Sequence, residues 1–434
     1  MVPDDNYRCR VPKRLLILLC SVLLALLPLY LNFTAFKRLF FFGDELVSLS
    51  EMRVQGFWPW VLSVFAESSV PVFKFLWGGA VIAFGGSYTA LVGLVWATHA
   101  INAGLLCLIL SHVRAALPLQ LLGIALFAIT PGTHESLGWT IQWCPVLACT
   151  FFLLGFYLLL TNLSLGIKVL GVFVCAALAA FSFARGILVC GILSFGLYMI
   201  VRRRPLAGRL VAILPMIPAL AAVVIIFIYS GGNHQNLAQA GGDVLEQMIS
   251  FGGTFYLLNP LYRIFFDLPP DLNDFLVFGS IKLGLVAAAL VVAWRSKDEV
   301  TRLLIIAPLL FDLGNALLLA LGRYHTGWVF ALSSRYQYES LFCMSITMVV
   351  LASRITRWPR MVNGIATAAF LIVVSVSLTR WHDLMPHWAT YRGKEGRRFF
   401  FGSTRVQPPA TWIGLPGILS KEEAVETIKT YNLH

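Results

Sequence analysis

Two adjacent carboxylates, Asp44 and Glu45, stand in the stretch "FFGDELVSLSEMRVQ", directly after the first long apolar run of the chain. A carboxylate that is partly removed from water has a raised pKa and is a stronger base, so one of the two is a candidate general base. The same residues also suit a structural role, because a carboxylate in the first turn of a helix interacts favourably with the helix dipole. The residues alone leave both interpretations open.

Further polar residues follow in two later turns between apolar runs. The turn "TPGTHESLGWTIQW" contains His134 and Glu135, and the turn "LGRYHTGWVFALSSRYQYES" contains Arg323, His325, Arg335 and Tyr336. Because a guanidinium group can bind a phosphate through two parallel hydrogen bonds, the two arginines are candidate phosphate ligands. Alternatively, each arginine extends towards lipid headgroups, as long basic side chains do at membrane surfaces.

Charged and polar side chains also occur within or beside the apolar runs. Charge inside a membrane is costly and by default marks a functional site or a buried pair. Lys74 and Arg185 lie towards the same side as the acidic pair, where they could meet an anionic ligand. For Asp312 we expect a structural hydrogen bond or ion pair, and for His99 an interhelical hydrogen bond.

Helices are the elements that must position these residues. Of the 434 residues, 58% are hydrophobic and 12% are charged, against about 25% charged residues in soluble domains. The apolar runs lie near 15–32, 87–111, 117–131, 143–161, 167–183, 186–201, 210–229, 276–294, 303–321, 337–353 and 362–379. Because about 20 apolar residues cross a bilayer as a helix, we predict an all-α polytopic membrane protein with about eleven transmembrane helices.

Basic residues determine the predicted orientation. The connections that contain Arg114, Lys168, Arg202, Arg295 and Arg354 fall on the same side as the basic N-terminus. The positive-inside rule makes that side cytoplasmic. The net charge of +12 has the same explanation, together with attraction to anionic lipid, so we expect no nucleic-acid partner.

The opposite, extracytoplasmic side receives the longer connections. These are residues 33–86, 132–142, 230–275, 322–336 and everything from 380 onward. The apolar and polar pattern of the first connection predicts interfacial helices. The flexible edges of 230–275, "GGNHQNLAQAGGD" and "DLPPDLND", make that connection a candidate lid. We expect residues 1–379 to form the transmembrane catalytic domain and 380–434 a small soluble tail, in which Ser420 and Glu423 predict a capping box.

Other chemistries have little support in the sequence. There is no G-x-x-x-x-G-K-[ST] loop for nucleotides, and no pair of histidines has metal-ligand spacing. A divalent metal is possible but not indicated. The eight cysteines mostly fall in apolar runs, where we expect buried thiols rather than disulfides or metal ligands.

Together these motifs resemble the GT-C superfamily of polytopic glycosyltransferases, which use polyprenyl-phosphate sugars. The acidic "FFGDE" is similar to the catalytic position of that family in the first outer loop, and "GGSYTALVGLVWATHAINAGLLCLILSHVRAAL" is similar to its second spanning helix. The segment "LFAITPGTHESLGWTIQW" resembles its proline, acidic and tryptophan turn, and "ALSSRYQYES" the "SRY" segment of related bacterial proteins. The resemblance covers roughly residues 10–360 as a succession of weak motifs.

The resemblance implies an inverting transfer of a hexosyl or pentosyl unit. Asp44 would be the general base, with Glu45 as the second candidate, because the family's usual acid directly follows the end of the first helix. Arg335, Arg323 and Lys74 would bind the donor phosphate. The residues that would orient the substrates are His134, Glu135, Tyr336 and His325.

The resemblance also implies the partners and the location. The partners would be the lipid bilayer, a polyprenyl-phosphate-linked sugar as donor, and a glycan, lipid or protein as acceptor. No cofactor beyond the donor is indicated. The location would be the bacterial inner membrane, with the active site on the extracytoplasmic side.

A secondary transporter or lipid-linked sugar flippase is the alternative. Such proteins usually place charges near the bilayer midplane and often have repeated halves with broken helices. Here the polar residues gather towards one surface and no repeat is visible, which favours an enzyme, whereas Asp312 and Arg185 fit a transporter. A water-filled cavity around Asp312 would favour transport. A catalytically silent member whose tail binds a partner is a third interpretation, and an outer cavity that lacks Asp44 would favour it.

Overall fold

The computed structural model describes residues 10–64, 68–113, 115–229, 243–266, 269–354, 359–395 and 419–434. This described part is helical, and seven of its helices are long and apolar enough to cross a membrane. The chain is therefore a multi-pass membrane protein. The predicted count of about eleven transmembrane helices is not confirmed. All eleven apolar runs are helical, but the helices at 165–180, 186–201, 216–229 and 337–353 have only 14 to 17 residues.

The first half of the chain contains thirteen described α-helices. They are α1 (Arg10–Leu31), α2 (Phe33–Phe36), α3 (Asp44–Gln55), α4 (Phe57–Leu62), α5 (Pro71–Ala83), α6 (Tyr88–Leu110), α7 (Leu117–Ala128), α8 (His134–Gly138), α9 (Trp143–Leu160), α10 (Leu165–Ala180), α11 (Gly186–Val201), α12 (Leu206–Leu210) and α13 (Met216–Tyr229). Short 3-10 turns precede and follow α8, at Pro131–Thr133 and Thr140–Gln142.

The second half continues the same architecture. Its described α-helices are α14 (Val244–Leu258), α15 (Leu261–Phe265), α16 (Leu272–Arg295), α17 (Glu299–Arg323), α18 (Gln337–Ser353), α19 (Pro359–Trp388) and α20 (Lys421–Thr430). Three 3-10 turns, Tyr324–Thr326, Trp328–Leu332 and Ser334–Tyr336, connect α17 to α18, and a π-helical segment, Ala389–Glu395, extends α19. Of the candidate lid, residues 230–242 and 267–268 lie outside the described residues, and α14 packs against α17.

Several connections between the long helices lie at the same end of the bundle. There, Thr140, just before α9, donates a hydrogen bond to Glu45, in the first turn of α3. The indole of Trp381, in the last turns of α19, donates to the carbonyl of Ile129 at the end of α7. We call this region, where α1, α7, α17 and α19 end and α6, α9 and α18 begin, the site end.

Buried polar side chains join the long helices below the site end. The ring of His99, in α6, lies 2.9 Å from the hydroxyl of Tyr338 in α18 and 2.9 Å from the carbonyl of Ala128 in α7, which confirms the expected interhelical hydrogen bond. Asp312 also has the expected ion pair, with Lys282 Nζ at 2.6 Å. Hydrogen bonds of this kind fix how neighbouring helices rotate against each other in a membrane protein.

The segments around the site end follow their sequence signals. Gly85 and Gly86, with φ of 57° and 76°, lie directly after the end of α5. The predicted capping box of α20 is present, since Ser420 and Glu423 exchange side-chain to backbone hydrogen bonds. The predicted tail boundary at 379/380 falls inside α19, which continues to Trp388. The terminal helix α20 packs on α3.

Candidate active site

The turn before α3 separates the two adjacent carboxylates. Gly43, the residue before the helix, has φ 53° and ψ −119°, a conformation that side chains rarely adopt. Asp44 then begins the helix with its side chain exposed, whereas the side chain of Glu45 is fully buried. The two carboxylates therefore have different environments, although they are neighbours in the sequence.

Asp44 lies within electrostatic reach of two arginines. The protein atoms around Asp44 remove part of its water and raise the pKa of its carboxyl group above the ordinary value. The guanidinium groups of Arg335 and Arg323 act in the opposite direction and lower that pKa, Arg335 more strongly. Desolvation is the larger effect. A carboxylate that remains accessible and has a raised pKa can accept a proton from a bound hydroxyl group.

The backbone of the 3-10 turn before α18 places Arg335. Its amide donates a hydrogen bond of 3.1 Å to Glu135 Oε2, while the amide of Glu135 donates to Ser334 Oγ at 3.3 Å. The guanidinium carbon of Arg335 lies 5.1 Å from the ring of Tyr336 and 6.0 Å from that of Trp139. These contacts join the turn that contains His134 and Glu135 to the turn that contains Arg335 and Tyr336.

One donor of Arg335 has no partner among the described residues. This donor is the buried Nε. A buried donor without a partner costs free energy, about 1–3 kcal/mol for a typical group. An anionic ligand beside this guanidinium group would remove that cost.

His134 lies on the other side of Ser334. Its Nδ1 is 3.0 Å from the carbonyl of Pro131, and its Nε2 is 3.5 Å from Ser334 Oγ. Its ring meets the ring of Trp388 edge to face, with 4.8 Å between the centroids. These contacts hold the ring of His134 between the turn after α7 and the end of α19.

A cavity of about 270 Å³ extends from the site end between α5, α11, α13 and α17. Its polar lining includes Arg323, Arg185 and Tyr336. The apolar part of its wall is formed by Phe73, Phe183, Ile187, Ile226, Leu318 and Leu319. Arg185 is held by an ion pair of 2.9 Å with Glu339. A cavity with cations and a hydrocarbon wall suits a molecule that carries an anionic group on an apolar chain.

Glu45 is held by protein groups on both carboxylate oxygens. Its partners are Thr140 Oγ1 at 2.6 Å, the Ile141 amide at 3.2 Å, the Tyr88 hydroxyl at 3.2 Å, the Phe42 amide at 2.9 Å and Arg392 Nη2 at 3.5 Å. Burial raises the pKa of Glu45, while Arg392 and the hydrogen bonds lower it. These are the contacts of a buried structural carboxylate, and they differ from the open position of Asp44.

Two of the sequence-predicted residues lie elsewhere. Lys74 is fully buried, and its ammonium group donates to the carbonyl of Trp60 at 3.0 Å and to the carbonyl and hydroxyl of Ser63 at 3.0 and 2.8 Å. These hydrogen bonds connect α5 to the end of α4. His325 lies exposed in a separate recess with Trp328. Neither residue lines the cavity that contains Arg323.

Four residues that complete this region carry no signal in the sequence. Arg392 comes from a basic stretch that was assigned to a soluble tail, and Tyr88, Thr140 and Glu339 occur in ordinary helical or turn contexts. Their side chains become significant only through their three-dimensional partners. Among the residues that the structure describes, no three His, Cys, Asp or Glu side chains are grouped so that they could hold a metal ion.

No protein-family model and no curated protein matches the sequence. Among solved structures, the oligosaccharyltransferase of Archaeoglobus fulgidus with a tethered acceptor peptide has a TM-score of 0.49 and 15% identity, covering 98% of this chain and 59% of its own. ArnT of Cupriavidus metallidurans, bound to undecaprenyl phosphate, has a TM-score of 0.46 and 13% identity, covering 87% of this chain and 78% of its own. The archaeal enzyme AglB of Archaeoglobus fulgidus, with an inhibitory peptide and a dolichol-phosphate, has a TM-score of 0.44 and 14% identity, covering 91% and 58%.

The present chain spans about three fifths of the length of the oligosaccharyltransferase chains. Because every TM-score is below 0.5, the likeness carries no argument about activity. The activity has to be argued from the residues of this chain.

Proposed function

We propose that this chain is a membrane glycosyltransferase of the GT-C type, which moves a sugar from a polyprenyl-phosphate donor to an acceptor hydroxyl with inversion. One observation carries the proposal. The accessible carboxylate of Asp44 interacts with Arg335 and Arg323, and Arg323 also lines a cavity with an apolar wall. A base, two cations and a hydrocarbon-lined space thus occupy one region.

The proposed reaction assigns each charge a partner. The acceptor oxygen forms a bond to the anomeric carbon while Asp44 takes the proton of the acceptor hydroxyl. The bond between that carbon and the phosphate oxygen breaks on the opposite face, and the lipid phosphate leaves with the electron pair. Arg335 and Arg323 stabilise the negative charge that develops on the phosphate, which is usually the largest contribution to catalysis.

The remaining groups position the substrates in this proposal. The polyprenyl chain occupies the apolar cavity between α5, α11, α13 and α17, with Tyr336 near its phosphate end. Glu135 fixes the backbone of Arg335, and His134 lies next to Ser334 in the same pair of turns. The acceptor is a glycan, lipid or protein hydroxyl on the extracytoplasmic side of a bacterial inner membrane.

The test is a transfer assay with the purified protein in proteoliposomes. Undecaprenyl-phosphate hexoses and pentoses serve as donors, bacterial glycolipid and polysaccharide fractions serve as acceptors, and the measured product is undecaprenyl phosphate. Asp44→Asn should lower the turnover by about 100-fold or more, because a positioned general base contributes on this scale. The binding of undecaprenyl phosphate should be retained.

Glu426→Gln is the matched control. It also replaces a carboxylate by an amide, in an exposed ion pair between α20 and α3, where the Glu426 side chain is 62% exposed. We expect its turnover to equal that of the wild type. An Asp44→Asn protein with full turnover would rule out the assignment of the base, and a wild-type protein that releases no lipid phosphate from any of the donors would count against the transferase itself.

A further inference from the structure

A buried guanidinium group lies directly behind the proposed catalytic turn. Arg392, in the π-helical segment after α19, is only 3% exposed, and its partner Glu45 is completely buried. Arg392 Nη2 lies 3.5 Å from Glu45 Oε2. Arg392 and Glu45 are far apart in the sequence, and the fold places the charge of Arg392 beside the residue that follows Asp44.

This ion pair holds three separate segments. Glu45 Oε2 accepts from the Phe42 amide at 2.9 Å, which closes the turn around Gly43, and Oε1 accepts from Thr140 Oγ1 at 2.6 Å. Arg392 donates to the carbonyl of Gly138 at 3.4 Å. The loop before α3, the turn before α9 and the end of α19 are thus linked through two side chains.

Aromatic rings enclose the guanidinium group of Arg392. Its carbon lies 4.7 Å from the ring centre of Phe42, 5.0 Å from that of Trp388 and 5.5 Å from that of Trp139. A cation over aromatic faces is attracted by their negative charge density. Trp388 also contacts the ring of His134, so the same group of rings extends to the other proposed site turn.

Burying two charges is a poor way to gain stability, because removing each ion from water costs as much as their attraction returns or more. What a buried ion pair with directional hydrogen bonds can supply is a fixed geometry. We propose that Glu45 and Arg392 form a positioning pair, which holds the turn of Asp44 at the correct distance from Arg335 and Arg323. This inference rests on the proposed function of Asp44.

The C-terminal residues reinforce the same arrangement. The hydroxyl of Tyr88 lies 3.3 Å from Arg392 Nη2 and 3.2 Å from Glu45 Oε1. The backbone amide of Tyr88 donates to the carbonyl of His434 at 2.9 Å. The end of the chain therefore holds the start of α6, and through Tyr88 it supports the positioning pair.

The test compares Glu45→Gln, Arg392→Met and Arg392→Lys with Glu426→Gln as the control. The control removes an exposed ion pair on the same helix α3 and leaves the positioning pair intact. Two quantities are measured on the full-length protein: the kinetics of undecaprenyl phosphate release, and amide hydrogen exchange in peptides that contain Phe42 to Glu45 and Gly138 to Ile141.

We expect Glu45→Gln and Arg392→Met to lower kcat by roughly 10- to 100-fold, because a misplacement of about 1 Å can have this effect. The KM for the donor should stay within about twofold, since Arg335 and Arg323 are unchanged. Amide exchange should rise in the two peptides and not in α17. Arg392→Lys, which keeps the charge, should recover part of kcat.

Several outcomes would overturn the inference. It is wrong if exchange in the two peptides is unchanged in Arg392→Met, or if exchange rises while kcat stays at the wild-type level. It is also wrong if the donor KM rises as much as kcat falls, because that result indicates loss of the whole site. If the wild-type protein has no transferase activity, the proposed function fails, and the exchange measurement still decides whether the pair holds the turn.

Discussion

At the scale of single residues, environment rather than residue type distinguishes the two carboxylates at the start of α3, Asp44 and Glu45. Asp44 is accessible and interacts with Arg335 and Arg323, whereas Glu45 is enclosed by hydrogen-bond donors. An accessible carboxylate with a raised pKa suits proton transfer, and an enclosed one suits positioning. The sequence could identify the pair as special, but it could not assign the two roles.

The pH dependence of transfer should report the charge of Arg335. In the proposed reaction, Asp44 acts as a base only when it is ionised, so we expect kcat to rise with pH through the pKa of Asp44. Because Arg335 lowers that pKa, Arg335→Met should raise it and move the acidic limb of the pH–kcat profile to higher pH. The loss of one cation at the leaving group should also lower kcat by about 100-fold or more.

Arg335→Lys is the matched variant, because it keeps the positive charge and loses the bidentate geometry. Its acidic limb should stay close to that of the wild type even though its kcat is reduced. An unchanged acidic limb in Arg335→Met, measured under the same ionic strength, would show that the titrating group is not the carboxylate that faces this arginine.

At the scale of the elements, the turn before α3 depends on a glycine. Gly43 has φ 53° and ψ −119°, and a side chain in the left-handed region costs about 1–2 kcal/mol. Gly43→Ala should therefore shift Asp44 or strain the turn, and lower transfer by about tenfold or more. The measurement is turnover together with thermal unfolding. Gly253→Ala is the control, because a Cβ there would contact nothing.

Lys74, at the junction of α4 and α5, has the contacts of a structural residue rather than those of a phosphate ligand. Lys74 donates to Trp60 and Ser63 inside the protein. Lys74→Met should destabilise the fold by about 1–3 kcal/mol, because buried acceptors lose their donor, while the affinity for undecaprenyl phosphate stays the same. Arg335→Met should show the reverse pattern. A large loss of affinity in Lys74→Met without a loss of stability would restore Lys74 as a phosphate ligand.

Elements were the most predictable level of the molecule. Each apolar run of the sequence is a helix, and local signals such as Gly85 with Gly86 and Ser420 with Glu423 mark their ends correctly. The number of transmembrane helices was less predictable. Run length in the sequence did not distinguish the 25-residue α17 from the 14-residue α13, because the apolar runs that contain them, 303–321 and 210–229, have nearly the same length.

At the scale of the whole molecule, long-range pairing was the part that could not be predicted. The sequence indicated that Asp312 and Arg185 need partners, but not that these are Lys282 and Glu339. A partner depends on which helices are neighbours and how each is rotated. Arg392 illustrates the same limit, because its role depends on the contact between the segment after α19 and Glu45 at the start of α3.

The pair of Lys282 and Asp312 also discriminates between an enzyme and a transporter. A transporter needs a charge that water or an ion can reach at the membrane midplane. Here Asp312 is held by Lys282 at 2.6 Å and by Ser340 at 2.7 Å, and the adjoining cavity has only about 20 Å³. That volume accommodates about one water molecule. The arrangement therefore fits a structural connection between α16, α17 and α18.

Replacing both charges tests this interpretation. Asp312→Asn alone should destabilise the protein by about 3–5 kcal/mol, because it leaves Lys282 buried without its counter-charge. The double variant Lys282→Met with Asp312→Leu should recover much of that stability in thermal unfolding, and it should retain the rate of undecaprenyl phosphate release. If the double variant is as stable as the wild type but no longer releases undecaprenyl phosphate, the two charges have a role in transfer, and the purely structural interpretation is wrong.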